Sequence, residues 1–123
     1  MEKVIIFDLD GTLINSLGDI HAALNKVLRM RGATPLDLTT VRGFIGMGSK
    51  NLVMRALIAQ NLPNDAASLA AGLDDFLSIY SAGAAELTYV FEGAKDALIH
   101  LCEQNIRLGI CTNKPLQPTK IVL

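Results

Sequence analysis

The sequence predicts an α/β fold, a partial Rossmann-like parallel sheet with an inserted α-helical cap. The first observation is a short run, Val4–Phe7, that is apolar throughout, which is typical of a parallel strand buried on both faces. The second is an apolar run that starts at Arg107 and ends in polar residues by Pro115. The third is the stretch from Ser16 to about Glu86, where apolar residues follow helical spacing and no strand pattern occurs.

Four helices are predicted within this insertion. They run from 16 to 31, from about 39 to the first glycine of the next loop, from 49 to 60 and from 65 to 81. Ser16 and Ser49 have side chains that favour helix N-caps, and Gly32 ends the first apolar pattern. Glycines between residues 43 and 48 indicate a loop before the third of these helices.

After the insertion the chain returns to the pattern of its first residues. A turn precedes a predicted helix from Gly93 to Gln104, the second strand follows, and another helix starts at Leu116. The chain therefore divides into a core segment at residues 1–15, a helical cap at 16–86 and a second core segment at 87–123.

Composition excludes several classes of function. The 11 basic and 12 acidic residues are scattered, so nothing indicates a nucleic-acid surface. No apolar run approaches the roughly 18–20 residues that span a bilayer, and the first residues do not have the pattern of a signal peptide. Cys102 and Cys111 lack CxxC spacing and are predicted to be reduced thiols in the core of a cytoplasmic protein. His21 and His100 fall in helical patterns and are predicted to be partly exposed, not metal ligands.

Two carboxylates directly follow the first strand. Asp8 and Asp10 are two residues apart, so on an extended chain they point to one side and Leu9 to the other. Parallel strands joined by a crossover place their C-terminal ends on one edge of the sheet. We expect that edge to bring the two aspartates close to Thr112 and Asn113, which end the second strand.

The carboxylate pair is compatible with three kinds of site: a metal site, a nucleophile with its acid/base, or a structural turn or helix cap. A bound Mg²⁺ would neutralise the two charges and hold a phosphate. One aspartate would then attack phosphorus, while its neighbour protonates the leaving alkoxide and later deprotonates water. Gly11 leaves room for the backbone to approach, and Thr12 adds a hydroxyl. A calcium loop of the EF-hand type is excluded, because Gly11 is the fourth and not the sixth position and Asp19 stands where a Glu is needed.

The motif DLDGTL after the first strand, combined with CTNKP at the end of the second, resembles the haloacid dehalogenase (HAD) superfamily. The similarity is to its phosphoglycolate phosphatase-like branch in particular. The stretch VRGFIGMGSKNLVMRAL is similar to the start of the helical cap in that branch. The resemblance covers the chain from Met1 to about Pro115 and implies a Mg²⁺-dependent phosphatase that forms an aspartyl-phosphate.

The resemblance also assigns roles to the residues that match its motifs. Asp8 would be the nucleophile and a Mg²⁺ ligand, and Asp10 the general acid/base with its backbone carbonyl on the metal. Thr112 would donate its hydroxyl to the phosphoryl oxygens, helped by the backbone N–H of Asn113. The predicted phosphate-binding residues of the core are Gly11, Thr12, Thr112 and Asn113.

An acid at position 10 distinguishes branches of the superfamily. Phosphatases and phosphomutases have it, whereas dehalogenases and phosphonate-cleaving members lack it. An alkoxide leaving group needs a proton and a halide does not, so Asp10 favours hydrolysis of phosphate esters. Asn15 is a mild departure, because this branch often has Asp there.

Four residues of the cap are candidates for substrate contact: Arg42, Gly46, Gly48 and Lys50. A cationic side chain would recognise a carboxylate or second anion of a small phosphorylated metabolite. Loop glycines with solvated surface charges are the alternative, and the sequence leaves it open. Phosphoglycolate is the substrate that the resemblance suggests, while sugar phosphates and nucleotides use similar caps.

The superfamily carries two further motifs, a lysine and an acid cluster that completes the metal site, and neither has a counterpart in this sequence. We therefore expect this chain alone to have little or no phosphatase activity. It would be part of a longer enzyme, a half-enzyme completed by another chain, or a non-catalytic binding or regulatory module. A sheet of two or three strands also has an open edge, which favours self-association.

Overall fold

The computed structural model describes residues 3–10, 13–83 and 87–110. The elements in chain order are β1 (Val4–Phe7), β2 (Ile14–Asn15), α1 (Leu17–Met30), α2 (Leu38–Arg42), α3 (Ser49–Ala59), α4 (Ala66–Gly83), β3 (Tyr89–Val90), α5 (Ala94–Glu103) and β4 (Arg107–Ile110). The predicted helix from Leu116 and the polar end of the second predicted strand lie outside the described residues.

Strands β1 and β4 form a parallel pair in which Val4 lies opposite Arg107 and Phe7 opposite Ile110. Every other described element lies between these two strands in the sequence. Helix α5 directly precedes β4 and lies against it, as in a crossover unit. A parallel sheet combined with helices confirms the predicted α/β class.

One prediction about the first strand was wrong: it is not buried on both faces. Val4 and Ile6 are 60% and 65% exposed, whereas Ile5 and Phe7 are half-buried. Phe7 and Leu98 of α5 pack against the same small apolar cluster. Successive side chains of a strand point to opposite faces, so a helix on one face buries only every second residue.

A second, antiparallel pair joins β2 and β3. Ile14 lies opposite Val90, and Asn15 lies opposite Tyr89. Neither strand is predicted from the sequence, where the second falls in the predicted turn, because two residues are too few to show alternation. The pair therefore places the connecting segment that leads into the helices, which contains β2, beside the connecting segment that leads out of them, which contains β3.

Helices α1, α3 and α4 pack around one apolar cluster, which we call the cap core. Its largest fully buried side chains are Phe76, Leu24, Leu28, Leu57, Val27, Val41 and Val53. Burying a side chain of this size contributes about 1.5–3 kcal/mol. The three long predicted helices of the insertion are confirmed, with ends shifted by one or two residues.

The helix ends agree only partly with the predicted caps. Ser16 occupies the N-cap position of α1, but its side chain makes no capping hydrogen bond. Ser49 is the first residue of α3, and Gly48 with φ 86° holds the N-cap position, so the prediction of a Ser49 cap was wrong. A positive φ is accessible to glycine at little cost, which explains why the chain turns one residue earlier. Gly32, with φ 74°, follows the end of α1 as predicted.

The surface residues give mixed results. Cys102 is exposed on α5, so the prediction of a core thiol was wrong for it, while Cys111 lies outside the described residues. Helix α5 has no fully buried residue, because its packing is limited to one side. His21 is half-buried in α1 and His100 is exposed in α5, as predicted. No helix in the described ranges is long and apolar enough to cross a bilayer.

Candidate active site

Asp8 and Asp10 follow β1 without a break, at the C-terminal end of the parallel pair. Leu9 between them is 1% exposed, whereas Asp8 is exposed and Asp10 is half-buried. The Leu9 N–H donates to Asp8 Oδ1 at 2.9 Å, and the Leu9 carbonyl accepts from the N–H groups of Leu13 and Ile14 at 3.0 and 3.2 Å. Buried Leu9 anchors the turn, and the two carboxylates are left on the accessible side.

Both carboxylates line a cavity of about 550 Å³ between the strand end and the helical segment. The described residues that line it are Asp8, Asp10, Asn15, Ser16, Leu17, Arg42, Ile45, Gly46 and Phe91. They come from the end of β1, from the two connecting segments that contain β2 and β3, and from α2 with the loop that follows it. Residues 34 positions apart in sequence, such as Asp8 and Arg42, therefore share one cavity.

The helical segment contributes a cation and a glycine to this cavity. Arg42 is the exposed last residue of α2, and its neighbour Val41 is fully buried in the cap core and anchors the helix. Gly46 has φ 116°, a conformation that side-chain-bearing residues rarely adopt. Gly48, at the N-cap position of α3, and Lys50, in its first turn, are not among the residues that line the cavity.

Ser16 is a residue of the site that the sequence analysis assigned only to a helix cap. Its Oγ donates to Asp10 Oδ1 at 2.5 Å, and the side chain is 2% exposed. The N–H of Leu17 is instead accepted by Asn15 Oδ1 at 3.3 Å. A carboxylate is a stronger hydrogen-bond acceptor than a neutral group, so the Ser16 hydroxyl donates to Asp10 and does not cap α1. The sequence shows only that a hydroxyl lies a few residues from an acid. The turn at Leu9 brings Ser16 and Asp10 into hydrogen-bonding contact.

Two apolar residues of the cavity had no signal in the sequence. Phe91 follows β3, its N–H donates to the Leu13 carbonyl at 3.1 Å, and its ring packs edge-on against Tyr89 at 6.2 Å between centroids. The hydroxyl of Tyr89 accepts from Asn15 Nδ2 at 2.6 Å. Ile45 lies in the loop after α2. Loop side chains follow no periodicity, so only their placement identifies them.

Tyr80 of α4 lies close enough to the carboxylates to be affected by their charge. It is 2% exposed and stacks on Phe76 with 5.4 Å between the ring centroids. Burial, followed by the negative charges of Asp10 and Asp19, raises the pKa of the Tyr80 phenol well above its usual value. The phenol therefore stays neutral at physiological pH.

Four predicted phosphate-binding residues, Gly11, Thr12, Thr112 and Asn113, lie outside the described residues. The chemistry of the described donors can nevertheless be compared with what a metal needs. Within the described ranges no group of three His, Cys, Asp or Glu side chains is placed to hold a metal. Mg²⁺ commonly binds one or two protein carboxylates and fills its other positions with water and substrate phosphate. Asp8 and Asp10 fit that requirement, since both are oxygen donors on an open cavity.

Comparison with known proteins gives consistent results. A model of the haloacid dehalogenase-like hydrolase family matches residues 5–122. A phosphoglycolate phosphatase of Cereibacter sphaeroides is 43% identical over 119 residues, which cover 97% of this chain and 55% of the relative. One from Rhodospirillum rubrum is 40% identical over 127 residues, which cover 100% of this chain and 53% of the relative. The chain thus spans about half the length of the curated relatives that it matches.

A solved structure shares the fold. The crystal structure of a protein described as a predicted phosphoglycolate phosphatase from Haemophilus somnus 129PT superposes with a TM-score of 0.81 and 28% identity, covering 94% of this chain and 53% of that one. The family match begins within β1 and extends through all the later described elements. From its first strand onward, the chain belongs to the haloacid dehalogenase-like hydrolase family.

Proposed function

We propose that the protein is a Mg²⁺-dependent phosphate-monoester hydrolase of the phosphoglycolate phosphatase type. The observation that carries the proposal is the cavity shared by two core carboxylates, Asp8 and Asp10, and the guanidinium of Arg42. The names of the relatives support the same reaction class.

In the first step a carboxylate oxygen of Asp8 attacks the phosphorus of the ester. The bond from phosphorus to the ester oxygen breaks, and Asp10 transfers its proton to the departing alkoxide. The products are an aspartyl-phosphate on Asp8 and the free alcohol. The hydroxyl of Ser16 holds one oxygen of Asp10 in a defined position, which orients the acid for this transfer.

In the second step the ionised Asp10 accepts a proton from water. The water oxygen attacks phosphorus, the bond to Asp8 breaks, and inorganic phosphate leaves. Mg²⁺ held by the Asp8 carboxylate and the Asp10 carbonyl would neutralise charge on the carboxylates and the phosphoryl oxygens. By resemblance, Gly11, Thr12, Thr112 and Asn113 would surround the phosphoryl group with hydrogen-bond donors.

Arg42 would bind a second anionic group of the substrate, such as a carboxylate. It is the cation among the described residues that line the cavity, and it comes from α2 of the helical segment, whereas the two carboxylates come from the core segment. A volume of about 550 Å³ is within the range of small-molecule sites, which supports a small phosphorylated metabolite as the substrate. Phosphoglycolate, which carries one phosphate and one carboxylate, has the required pair of anions.

The test measures both half-reactions of the purified chain with Mg²⁺. Hydrolysis is followed with a panel of phosphate esters, and phosphorylation of Asp8 by acetyl phosphate is followed by mass spectrometry. We expect little or no turnover from the chain alone, but we expect phosphorylation that disappears in Asp8→Asn and with EDTA. Asp74→Asn, which removes an exposed carboxylate of α4, is the matched control.

The outcomes separate the candidate functions. Phosphorylation that persists in Asp8→Asn would exclude the proposed nucleophile. Binding of Mg²⁺ and a phosphate ester without phosphorylation would favour a non-catalytic binding or regulatory module. Turnover that appears only when a second polypeptide is added would favour a half-enzyme completed by another chain.

The proposed setting follows from the surface of the chain. A cytoplasmic location is supported by the free, exposed thiol of Cys102, which a reducing compartment preserves. The scattered charges support neither a nucleic-acid nor a membrane partner. The exposed side chains of Val4 and Ile6 support self-association through the β1–β4 sheet.

A further inference from the structure

Asp19 is a buried carboxylate that the proposed reaction does not use. It lies in the first turn of α1 and is 5% exposed. The one ion pair between described side chains joins Arg31 and Asp75, so no described cation pairs with Asp19. An ionised carboxylate is costly to bury unless hydrogen bonds replace its lost water. Its partners therefore indicate what the burial achieves.

The partners of Asp19 lie almost seventy residues later in the chain. The backbone N–H of Leu87 is 2.9 Å from both carboxylate oxygens, and Thr88 Oγ1 donates to Oδ2 at 2.6 Å. Hydrogen bonds to an ionised acceptor are about twice as strong as neutral ones. Gly18 permits the close approach, because a Cβ there would lie 3.2 Å from the Cβ of Leu87.

These bonds complete a structure that we call the clasped ribbon, formed by residues 13–19 and 87–91. At the end near β1 it is closed by the Phe91 N–H, which donates to the Leu13 carbonyl at 3.1 Å. In the middle it is held by the β2–β3 pair. At the end near the cap core it is closed by Asp19. The two connecting segments between the sheet and the helices are therefore fastened to each other along their length.

The clasped ribbon supplies part of the lining of the cavity. Ser16, in the connecting segment that contains β2, donates a hydrogen bond to Asp10. Phe91, in the connecting segment that contains β3, contributes an apolar side chain to the lining. The Ser16 carbonyl accepts from the Ile20 N–H at 3.1 Å, in the same helical turn that carries Asp19. Both lining residues are thus connected to Asp19 through the ribbon.

We propose that Asp19 is a positioning residue, which fastens the two connecting segments together and so keeps Ser16 and Phe91, which both line the cavity, in register with each other. The consequence for catalysis rests on the proposed function, because it assumes that Asp10 is the acid/base. The connection that Asp19 makes between the two segments does not rest on the proposed function, and it is measured without any enzymatic assay.

The experiment measures amide hydrogen exchange by NMR in the full 123-residue chain. In Asp19→Asn we expect exchange of the Leu87 and Phe91 amides to become at least about tenfold faster, while that of Leu24 in the cap core changes less than about twofold. Thr88→Val, which removes the hydroxyl at nearly constant shape, should accelerate the same two amides less. Thr88→Ser, which keeps the hydroxyl, should restore the exchange of the original chain, and Asp74→Asn serves as the neutral control.

Two results would overturn the proposal. Faster exchange at Leu87 alone, with Phe91 unchanged, would mean that Asp19 satisfies a local amide and positions nothing at the cavity. Equal acceleration of Leu24 and Phe91 would mean that Asp19 supports global stability only. Absence of Asp8 phosphorylation by acetyl phosphate in the same samples would count against the proposed function and would leave the exchange result unaffected.

Discussion

Mg²⁺ should reverse the order of stability between the original chain and Asp8→Asn. Two carboxylates that are two residues apart on an extended chain are separated by about 7 Å. Their repulsion is then about 0.6 kcal/mol at the dielectric constant of water and about 2.4 kcal/mol at an effective value near 20. Because Asp8 is exposed, the smaller figure applies. Without metal, Asp8→Asn is therefore expected to be more stable by at most about 0.6 kcal/mol, since the two carboxylates also repel each other in the unfolded chain.

Metal binding works in the opposite direction and is larger. At a Mg²⁺ concentration ten times the dissociation constant, a ligand that binds only the folded chain adds about 1.4 kcal/mol. For a domain of this size 1 kcal/mol corresponds to about 3–5 °C in Tm. The original chain should therefore gain about 4–7 °C with Mg²⁺, whereas Asp8→Asn should gain little. The order of the two Tm values is then reversed.

The assay is thermal unfolding followed by circular dichroism, in EDTA and in MgCl₂, with NaCl added to equalise ionic strength. Asp74→Asn should respond to Mg²⁺ like the original chain, because it changes an exposed carboxylate of α4 away from the cavity. An equal gain in Tm for the original chain and Asp8→Asn would refute the reasoning, since the metal would then bind elsewhere.

Three further predictions concern the site, the sheet and a helix cap. Ser16→Ala removes the buried hydroxyl that donates to Asp10 and should lower the free energy of unfolding, measured by urea titration, by about 1.5–3 kcal/mol. A loss below about 0.5 kcal/mol would mean that the hydrogen bond to Asp10 contributes little to stability. Ile6→Lys places a charge on the exposed sheet face, so any concentration-dependent association seen by analytical ultracentrifugation should weaken, and unchanged association would exclude this face as the interface. The hydrogen bond from the Thr40 N–H holds the pKa of the Asp37 carboxyl below its ordinary value. Asp37 therefore stabilises α2 at pH values above that ordinary pKa, and the stabilisation is lost as the pH falls through the lowered pKa. The Tm advantage of the original chain over Asp37→Asn should therefore be largest near pH 7 and shrink towards pH 3, and a difference independent of pH would contradict this.

The helices of the insertion could be predicted because their apolar side chains recur at helical spacing over many residues. Leu24, Leu28 and Phe76 belong to those patterns, and each is fully buried in the cap core. The two strands β2 and β3 could not be predicted, since two residues show no period. The exposure of Ile6 could not be predicted either. An apolar run shows only that its residues favour burial, and the neighbouring elements determine which face of the strand is covered.

The α/β class, the helical insertion and the carboxylate pair follow from the sequence alone, because they depend on periodicity and on the chemistry of adjacent residues. The folded structure is needed to see that Arg42 shares a cavity with Asp8, that the Ser16 hydroxyl donates to Asp10, and that Asp19 accepts from the Leu87 N–H. Such contacts join residues that are distant in the chain or separated by a turn. They arise from the way that buried elements pack, and no local pattern of residues records that geometry.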